Sequence, residues 1–283
     1  MTIAATEFEF ICRLVERQAG IVLGAGKEYL VESRLAGLLR RENIASFGDL
    51  ITKLKQSPIS PLTKKTIDAM TTNETSFYRD IHPFEALKKT LLPELIAKRA
   101  ATKTLNFWCA ASSTGQEPYS VCILLREHFP QLADWRINFV ATDLCTDALT
   151  KAREGMYSTL EVNRGLPAPL LVKYFTKAGM EWKLDEKIRR MVTLKEMNIT
   201  GHWSDIPVCD IIFIRNILIY FSLETKKVIL GKAAKLLRPD GYLFLGGAET
   251  TVNVDDSYER VQLDKSGCYR PRALQPMATA KAA

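Results

Sequence analysis

The chain has 283 residues, 47% hydrophobic and 25% charged, a globular composition long enough for one large or two ordinary domains. No apolar run reaches the ~20 residues of a membrane span, and the acidic start, MTIAATEFEF, lacks a signal peptide's basic and apolar regions. The net charge of +7 suits an acidic partner, but it is spread along the chain and does not by itself imply nucleic acid.

Residues 6 to about 70 read as a small helical module. Phe8, Ile11, Cys12, Leu14 and Val15 recur at helical spacing until Gly20, Gly24 and Gly26 interrupt them. A second helix is expected from about Lys27 to Glu42. A third fits Phe47 to Lys55, with Ser46 as its N-cap, and ends at Ser57-Pro58 and Ser60-Pro61; a fourth runs from about Leu62 to Met70. Between Arg34 and Lys65 stand seven basic residues and two acidic ones, and Arg34 and Arg41 fall on one helix face. That face is either a solvated surface or a docking surface for an acidic helical partner.

Thr71 to Asp80, TTNETSFYRD, drops the helical pattern. Its hydroxyl and amide side chains compete for backbone hydrogen bonds, so a loop is expected, either a capped linker or a ligand clamp. A helix from Pro83 to about Ala100 leads into a sheet.

The sheet opens with LNFWCAASSTGQEPYS, Leu105 to Ser120: a buried strand, a turn of small residues, then a helix with Glu117 and Pro118 in its first turn. This is the first unit of a nucleotide-binding α/β sheet, with the ligand expected at the strand's carboxyl end. The glycine fingerprints of dinucleotide and phosphate sites are absent, and the helix begins with a carboxylate, so a cationic or neutral nucleoside fits better than a phosphate-rich ligand. The second unit, Arg136 to Thr142, ends at Asp143, 26 residues after Glu117. A carboxylate there offers two acceptor oxygens to a ribose; the alternative is a cap for the helix Thr146 to Glu154.

Residues 155 to 197 break the α/β rhythm. A loop at Gly165, Pro167 and Pro169, a short helix from Leu170 to Phe175, and strands at Met180–Leu184, Lys187–Met191 and Val192–Lys195 suggest a small antiparallel insertion. The sheet resumes at Val208 to Ile214, with Arg215-Asn216 at its carboxyl end and Ile217 to Phe221 following. A helix then runs to Leu237. The turn Arg238-Pro239-Asp240-Gly241 leads into a buried strand, Tyr242 to Gly246, and an edge hairpin at Tyr258–Leu263 and Gly267–Arg270 ends the sheet. The last residues, Ala-rich, read as a disordered tail.

Six cysteines show no C-x-x-C spacing and fall mostly in apolar runs, which suggests reduced core thiols in a cytoplasmic protein. His82, His128 and His202 are not paired with cysteine at zinc spacing, so no metal is expected.

A helix ending in L-R-P-D-G before an apolar strand, the turn before Glu117 and the acid at Asp143 together resemble class I S-adenosylmethionine-dependent methyltransferases. Four blocks sharpen the match: TNETSFYR (Thr72 to Arg79), ASSTGQEPYS (Ala111 to Ser120), IRNILIYF (Ile214 to Phe221) and LRPDGYLFLGGAE (Leu237 to Glu249). In that order and at those separations they resemble CheR, the chemoreceptor glutamate O-methyltransferases, over nearly the whole chain. The resemblance implies an α/β fold: a Rossmann-like sheet in residues 81–273, an all-α domain in 1–80, a small antiparallel β insertion at about 156–197, and a tail from 274 to 283.

The resemblance also implies roles. Asn73, Thr75 and Arg79 would hold the methionine part of S-adenosylmethionine, Glu117 its ammonium and Asp143 its ribose. Asn198 and Ile199 would flank the adenine, Arg215 and Asn216 line the cofactor's middle, and Tyr220 sit by the transferred methyl. A glutamate nucleophile, with a pKa near ~4.3, is already ionised at neutral pH and needs no general base. Arg79 and Tyr220 are the residues expected to act on it, Arg79 by paired donors and Tyr220 by one hydrogen bond. The product would be a glutamyl methyl ester with S-adenosylhomocysteine, and the partners the cytoplasmic methylation helices of chemoreceptors, approached by a monomer without membrane insertion.

Two departures stand out. The turn AASSTGQE carries Gln116 where many members have a second glutamate, and is poorer in glycine. The insertion around Lys177 to Glu186 is short where members that grip a receptor's C-terminal peptide carry a longer glycine-containing turn, so the chain is expected to work without that tether. A nucleic-acid methyltransferase is the rival reading. Against it, the chain lacks the amino-methylating D/N-P-P-Y/F/W motif, whose place Arg215-Asn216-Ile217-Leu218 takes, and a basic stripe interleaved with aromatics. A binding module that kept the fold and lost the cofactor is a third reading, opposed by the intact Asn73, Arg79, Glu117, Asp143 and Tyr220.

Overall fold

A computed structural model describes residues 2–272; the tail expected from 274 lies outside them. The N-terminal module is four helices, α1 (Ala5–Ala19), α2 (Glu28–Arg41), α3 (Phe47–Gln56) and α4 (Pro61–Met70). Ser46 and Ser60 cap α3 and α4 by accepting from the amides of Asp49 and Thr63, so the Ser-Pro punctuation separates two helices by capping the second. Ile11, Val15, Val31, Leu35, Leu38 and Leu50 are buried between them.

The loop 71–81 is followed by α5 (His82–Ala86), a π-helical turn at Leu87–Leu91 and α6 (Leu92–Arg99), where the sequence suggests one regular helix. Pro93, in the first turn of α6, has no amide hydrogen and would crowd the carbonyl four residues back; the wider π turn before it relieves that conflict.

The main sheet takes β1 (Thr104–Ala110), then α7 (Gln116–His128), β2 (Arg136–Asp143) and α8 (Thr146–Glu154). The insertion holds β3 (Met156–Ser158), α9 (Thr159–Asn163), α10 (Ala168–Tyr174), β4 (Phe175–Ala178), β5 (Glu181–Leu184) and α11 (Glu186–Arg189). The chain then returns through β6 (Val192–Glu196), β7 (Cys209–Ile214), α12 (Leu223–Leu236), β8 (Leu237–Leu245), β9 (Tyr258–Leu263) and β10 (Ser266–Pro271). The seven main strands lie in the order β6-β2-β1-β7-β8-β10-β9, the first five parallel and β10 antiparallel to both neighbours. This is the class I methyltransferase architecture expected from the motifs. From β1 the chain builds outward first on the β2 side and then on the β7 side, so the ligand crevice falls beyond the carboxyl ends of β1 and β7.

Three local expectations are corrected. Val192–Glu196 pairs parallel with β2 as the edge of the main sheet and is not part of the insertion. Lys187–Met191 is not a strand: Asp185 accepts from the Lys187 amide and starts the helical turn α11. The turn 238–241 does not precede β8 but bulges out of it, since Cys209 pairs with Leu237 and Ile211 with Tyr242. The three-stranded insertion sheet, order β3-β5-β4, therefore draws on β3 and β4, which the sequence reading omitted.

Alternation along the strands divides the core in two. Trp108, Ala110, Ile212, Ile214, Leu243 and Leu245 face the N-terminal module and α12, whereas Phe107, Cys109, Phe139, Phe213 and Phe244 face α6, α7 and the insertion. At the amino ends of the strands, Asp210 accepts from the Asn106 amide at 2.8 Å and from Arg99 Nε at 2.8 Å, while Arg99 also holds Asp240. The L-R-P-D-G acid thus fastens α6 beneath the sheet, at the end away from the crevice.

Candidate active site

Beyond β1 the backbone turns through Ala111 and Ser113, both at φ 52°, and Gly115 at φ 92° before α7 begins. Left-handed backbone costs a non-glycine residue roughly 1–2 kcal/mol. Among the described residues nine non-glycine positions have positive φ, and Tyr78, Asp80, Ala111, Ser113 and Asn216 lie in the three loops that meet at the crevice. Strain concentrated in this way marks a site whose surroundings over-determine it. Gly115 has no substitute: a Cβ there would stand 2.7 Å from the Tyr119 ring.

Asp143, at the end of β2, is nearly buried. Its Oδ2 accepts from the Ser113 amide at 2.7 Å and its Oδ1 from the Cys145 amide at 2.8 Å. The acid therefore splices the turn after β1 to the residue before α8, while each oxygen keeps a lone pair beyond these two bonds; it is not the cap weighed from sequence, because the N-cap of α8 is Cys145, with no side-chain cap. Burial raises its pKa against the opposing effect of the Cys145 and Ser113 amides. Beside it the Ser112 hydroxyl is buried, has no hydrogen-bond partner among the described residues, and borders the crevice.

Glu117 occupies the first turn of α7. Arg215, from the end of β7, donates to its Oε1, and the Cys109 thiol donates to Oε2 at 3.2 Å. Arg215 also donates to Asp80 Oδ2 at 2.8 Å and to the Arg79 carbonyl at 3.1 Å. Its side chain is 2% exposed. Burial opposes the charge, but Glu117 and Asp80 outweigh it and hold the guanidinium above its usual range. Burial and then Glu117 push the Cys109 thiol well up, so it stays protonated and serves as a donor.

The TNETSFYR block lies across the crevice as a loop. The Ser113 hydroxyl donates to the Asn73 carbonyl at 2.8 Å, and Asn73 Nδ2 donates to Thr71 Oγ1 at 3.1 Å and to Cys145 Sγ at 3.3 Å. Arg79 Nη1 donates to the Glu74 carbonyl at 3.1 Å, leaving other donors of the fork for a ligand. Arg34 does not share a docking face with Arg41. It turns inward, donates to the Met70 carbonyl at 2.6 Å and to Thr72 Oγ1 at 2.7 Å, and borders the cavity. Desolvation lowers its pKa, with Tyr220 acting the other way.

Asn198 and Ile199 form the wall beyond β6. The Asn198 amide reaches the Gln18 carbonyl at 2.7 Å, and its oxygen accepts from the Thr200 amide at 3.0 Å, so the side chain joins α1 to this wall. Asn216 follows β7 at φ 58°. Tyr220 closes the 3-10 turn Leu218–Tyr220, its carbonyl accepting from the Val22 amide at 2.9 Å beside an antiparallel bridge between Ile21 and Phe221.

One cavity of about 350 Å³ is bordered by Asn73, Thr75, Arg79, Glu117, Asp143, Asn198, Ile199, Arg215, Asn216 and Tyr220, the full set named from sequence. Sequence reasoning missed a further wall, Ile21 to Gly24 with Lys27 and Leu30 from the N-terminal module. It also missed Ser112 and Glu249; the latter accepts from backbone amides of the Asn216 loop. Nothing in a one-dimensional pattern marks a carboxylate whose partners are amides about thirty positions away. Among the described residues no group of three or more His, Cys, Asp or Glu is placed to hold a metal, and no helix is long and apolar enough to cross a membrane.

The donor set fits an adenosylated sulfonium amino acid. Two carboxylates border the cavity, Glu117 in the first turn of α7 and Asp143 at the end of β2; apolar Leu144, Met197 and Ile199 line it too, and Ser112 offers an unsatisfied hydroxyl. A phosphate-bearing ligand would meet the carboxylates head-on.

The chain matches the family model described as "CheR methyltransferase, SAM binding domain" over residues 73–266 and the one described as "CheR methyltransferase, all-alpha domain" over residues 6–71. It is 40% identical over 277 residues to Chemotaxis protein methyltransferase 1 of Pseudomonas aeruginosa, covering 96% of this chain and 100% of that one. It is 38% identical, with the same coverage, to Chemotaxis protein methyltransferase Cher2 of Pseudomonas putida. Among solved structures, LepI in complex with SAM is a distant likeness at TM-score 0.39 and 15% identity, covering 88% of this chain and 53% of that one.

Proposed function

The chain belongs to the CheR methyltransferase family and its cofactor is S-adenosylmethionine; from that premise we propose that it esterifies glutamate side chains of chemoreceptors, giving glutamyl methyl esters and S-adenosylhomocysteine. The observation that supports this most is the convergence of ten residues from separate segments on one cavity, with the Glu117 and Asp143 carboxylates, Arg79 and Tyr220 at its border. The relatives' chemotaxis names favour a receptor substrate over the nucleic-acid alternative.

When bound, the cofactor supplies an electrophilic methyl on a sulfonium. The chain's own residues do the rest. Glu117 takes the ammonium with the lone pairs that Arg215 and Cys109 leave free, and Asp143 takes the ribose hydroxyls. Asn73, Thr75 and Arg79 hold the amino-acid end, Asn198 and Ile199 flank the base, and Arg215 and Asn216 line the middle. Arg79 meets the incoming carboxylate with the donors not used on Glu74, and Tyr220 packs at the methyl and donates one hydrogen bond. A carboxylate and a sulfonium would lose their charges together, so the apolar wall that Ile21 and Leu30 of the N-terminal module give the cavity would favour the reaction. No proton has to be removed, which suits a cavity border without histidine.

We assign residues 1–80 to the helical domain and 81–273 to the catalytic one. The enzyme works as a cytoplasmic monomer on the receptors' methylation helices. It does so without gripping a receptor C-terminal pentapeptide, because β4 and β5 are joined by the two residues Gly179 and Met180 alone. The test is transfer of labelled methyl from S-adenosylmethionine to chemoreceptor cytoplasmic fragments. Label released as methanol by mild base supports an ester; base-stable label, or none, refutes it.

A further inference from the structure

We infer that Glu249 is the positioning residue for the Asn216–Tyr220 loop, an inference that rests on the methyl-transfer reading above. Its Oε2 accepts from the Gly246 amide at 2.6 Å and the Asn216 amide at 2.8 Å, and its Oε1 from the Leu218 amide at 2.7 Å. Ile219 N adds a longer contact at 3.4 Å. One carboxylate thus gathers the end of β8, the end of β7 and the open start of the 3-10 turn, whose first amides have no partner within the turn. Asn216 is held in left-handed backbone at φ 58°, and Tyr220 lies two residues beyond the last strong contact.

The packing leaves no slack. A Cβ at Gly246 would stand 2.7 Å from Glu249 Oε2, 2.7 Å from Asn216 Nδ2 and 2.8 Å from Asn216 N, so the two strand ends close on the carboxylate only because residue 246 is glycine. On its other side the loop is held by the Val22 amide at the Tyr220 carbonyl. Glu249 touches neither cofactor nor substrate in this scheme; it fixes the frame from which Asn216 and Tyr220 work. An acceptor-only group is required, because all its neighbours here are N–H donors. A glutamine would turn an NH2 toward one pair of them.

The test is Glu249→Gln, read three ways. Hydrogen exchange at the Gly246, Asn216 and Leu218 amides should accelerate while Ile212 and Phe244, in β7 and β8, stay protected, which separates a loosened loop from an unfolded domain. The kcat for receptor methylation should fall roughly 10- to 100-fold, with S-adenosylhomocysteine affinity changing less. In a Tyr220→Phe background the same substitution should cost less than about twofold, since the residue it positions is already impaired. Unchanged exchange at the three amides, a wild-type kcat, or full additivity with Tyr220→Phe would each overturn the inference. A wild-type protein that binds S-adenosylhomocysteine but methylates no receptor would instead sink the functional reading, while the exchange data would still decide whether Glu249 holds the loop.

Discussion

Replacing Asp143 by asparagine isolates the ribose contact with the least structural damage. Alanine would strip both acceptors and leave the Ser113 and Cys145 amides unpaired. At ~1–3 kcal/mol for each orphaned donor, that is a large part of a domain's ~5–15 kcal/mol, and lost binding would be confused with unfolding. Asparagine keeps one oxygen, so one of the two amides remains paired, and it loses the charge and one acceptor facing the cavity. A hydrogen bond to a charged group contributes ~1.5–3 kcal/mol, so S-adenosylhomocysteine should bind roughly 10- to 150-fold more weakly. Calorimetric titration of wild type and Asp143→Asn, with a thermal melt of each, measures both quantities. A folded variant with wild-type affinity would refute the assignment of Asp143 and the reading of the β2 crevice as the ribose subsite.

The same carboxylate predicts a pH dependence. Its folded pKa is raised, chiefly by burial, so it takes up a proton at a pH where an ordinary aspartate is still ionised. Affinity for S-adenosylhomocysteine should therefore begin to fall, on acidification, above the ordinary aspartate range, and Asp143→Asn should flatten that fall. Arg79→Lys should lower receptor methylation at least ~10-fold while the fold is retained, because an ammonium cannot reproduce the planar fork; wild-type kcat/KM in the lysine variant would remove Arg79 from the reaction. Arg34→Ala removes two contacts that tie α2 to residues 70–72 and should weaken cofactor binding several-fold with a lower Tm, unlike Arg41→Ala, which should do neither. An isolated receptor C-terminal pentapeptide should show no measurable affinity in the same calorimeter, and a micromolar Kd would contradict the untethered mode.

Much of this was legible before the fold was known. The strands of the sheet interior are continuous apolar runs bounded by turn residues, and β1, β2 and β7 begin and end within a residue or two of where the sequence puts them. Part of the site was legible for a related reason: Asp143, Arg215 and Asn216 follow the ends of buried strands, which the sequence announces by a switch from apolar to polar side chains, whereas Asn73, Thr75, Arg79, Asn198, Ile199 and Tyr220 were named only through the resemblance to CheR. What failed has equally physical causes. β6 is a sheet edge with one buried residue in five, a pattern that an antiparallel strand shows equally well. Lys187–Met191 was misread as a strand although its apolar Ile188 and Met191 stand three apart, a helical spacing, and the Asp185 cap two residues earlier decides for helix. Arg34 and Arg41 share a face by spacing, but only packing reveals that Met70 and Thr72 draw the first inward. The wall contributed by Ile21 to Gly24 depends on where the helical module docks, which periodicity does not carry.

The most direct test of the central claim is peptide-level mass spectrometry after incubating the protein with S-adenosylmethionine, chemoreceptor cytoplasmic fragments and, in a parallel arm, nucleic acid. The account predicts methyl esters on glutamate side chains of the receptor helices, absent when those glutamates are replaced by alanine, and an unmodified nucleic acid. Methyl groups on receptor nitrogen atoms, or on the nucleic acid in place of the receptor, would contradict it.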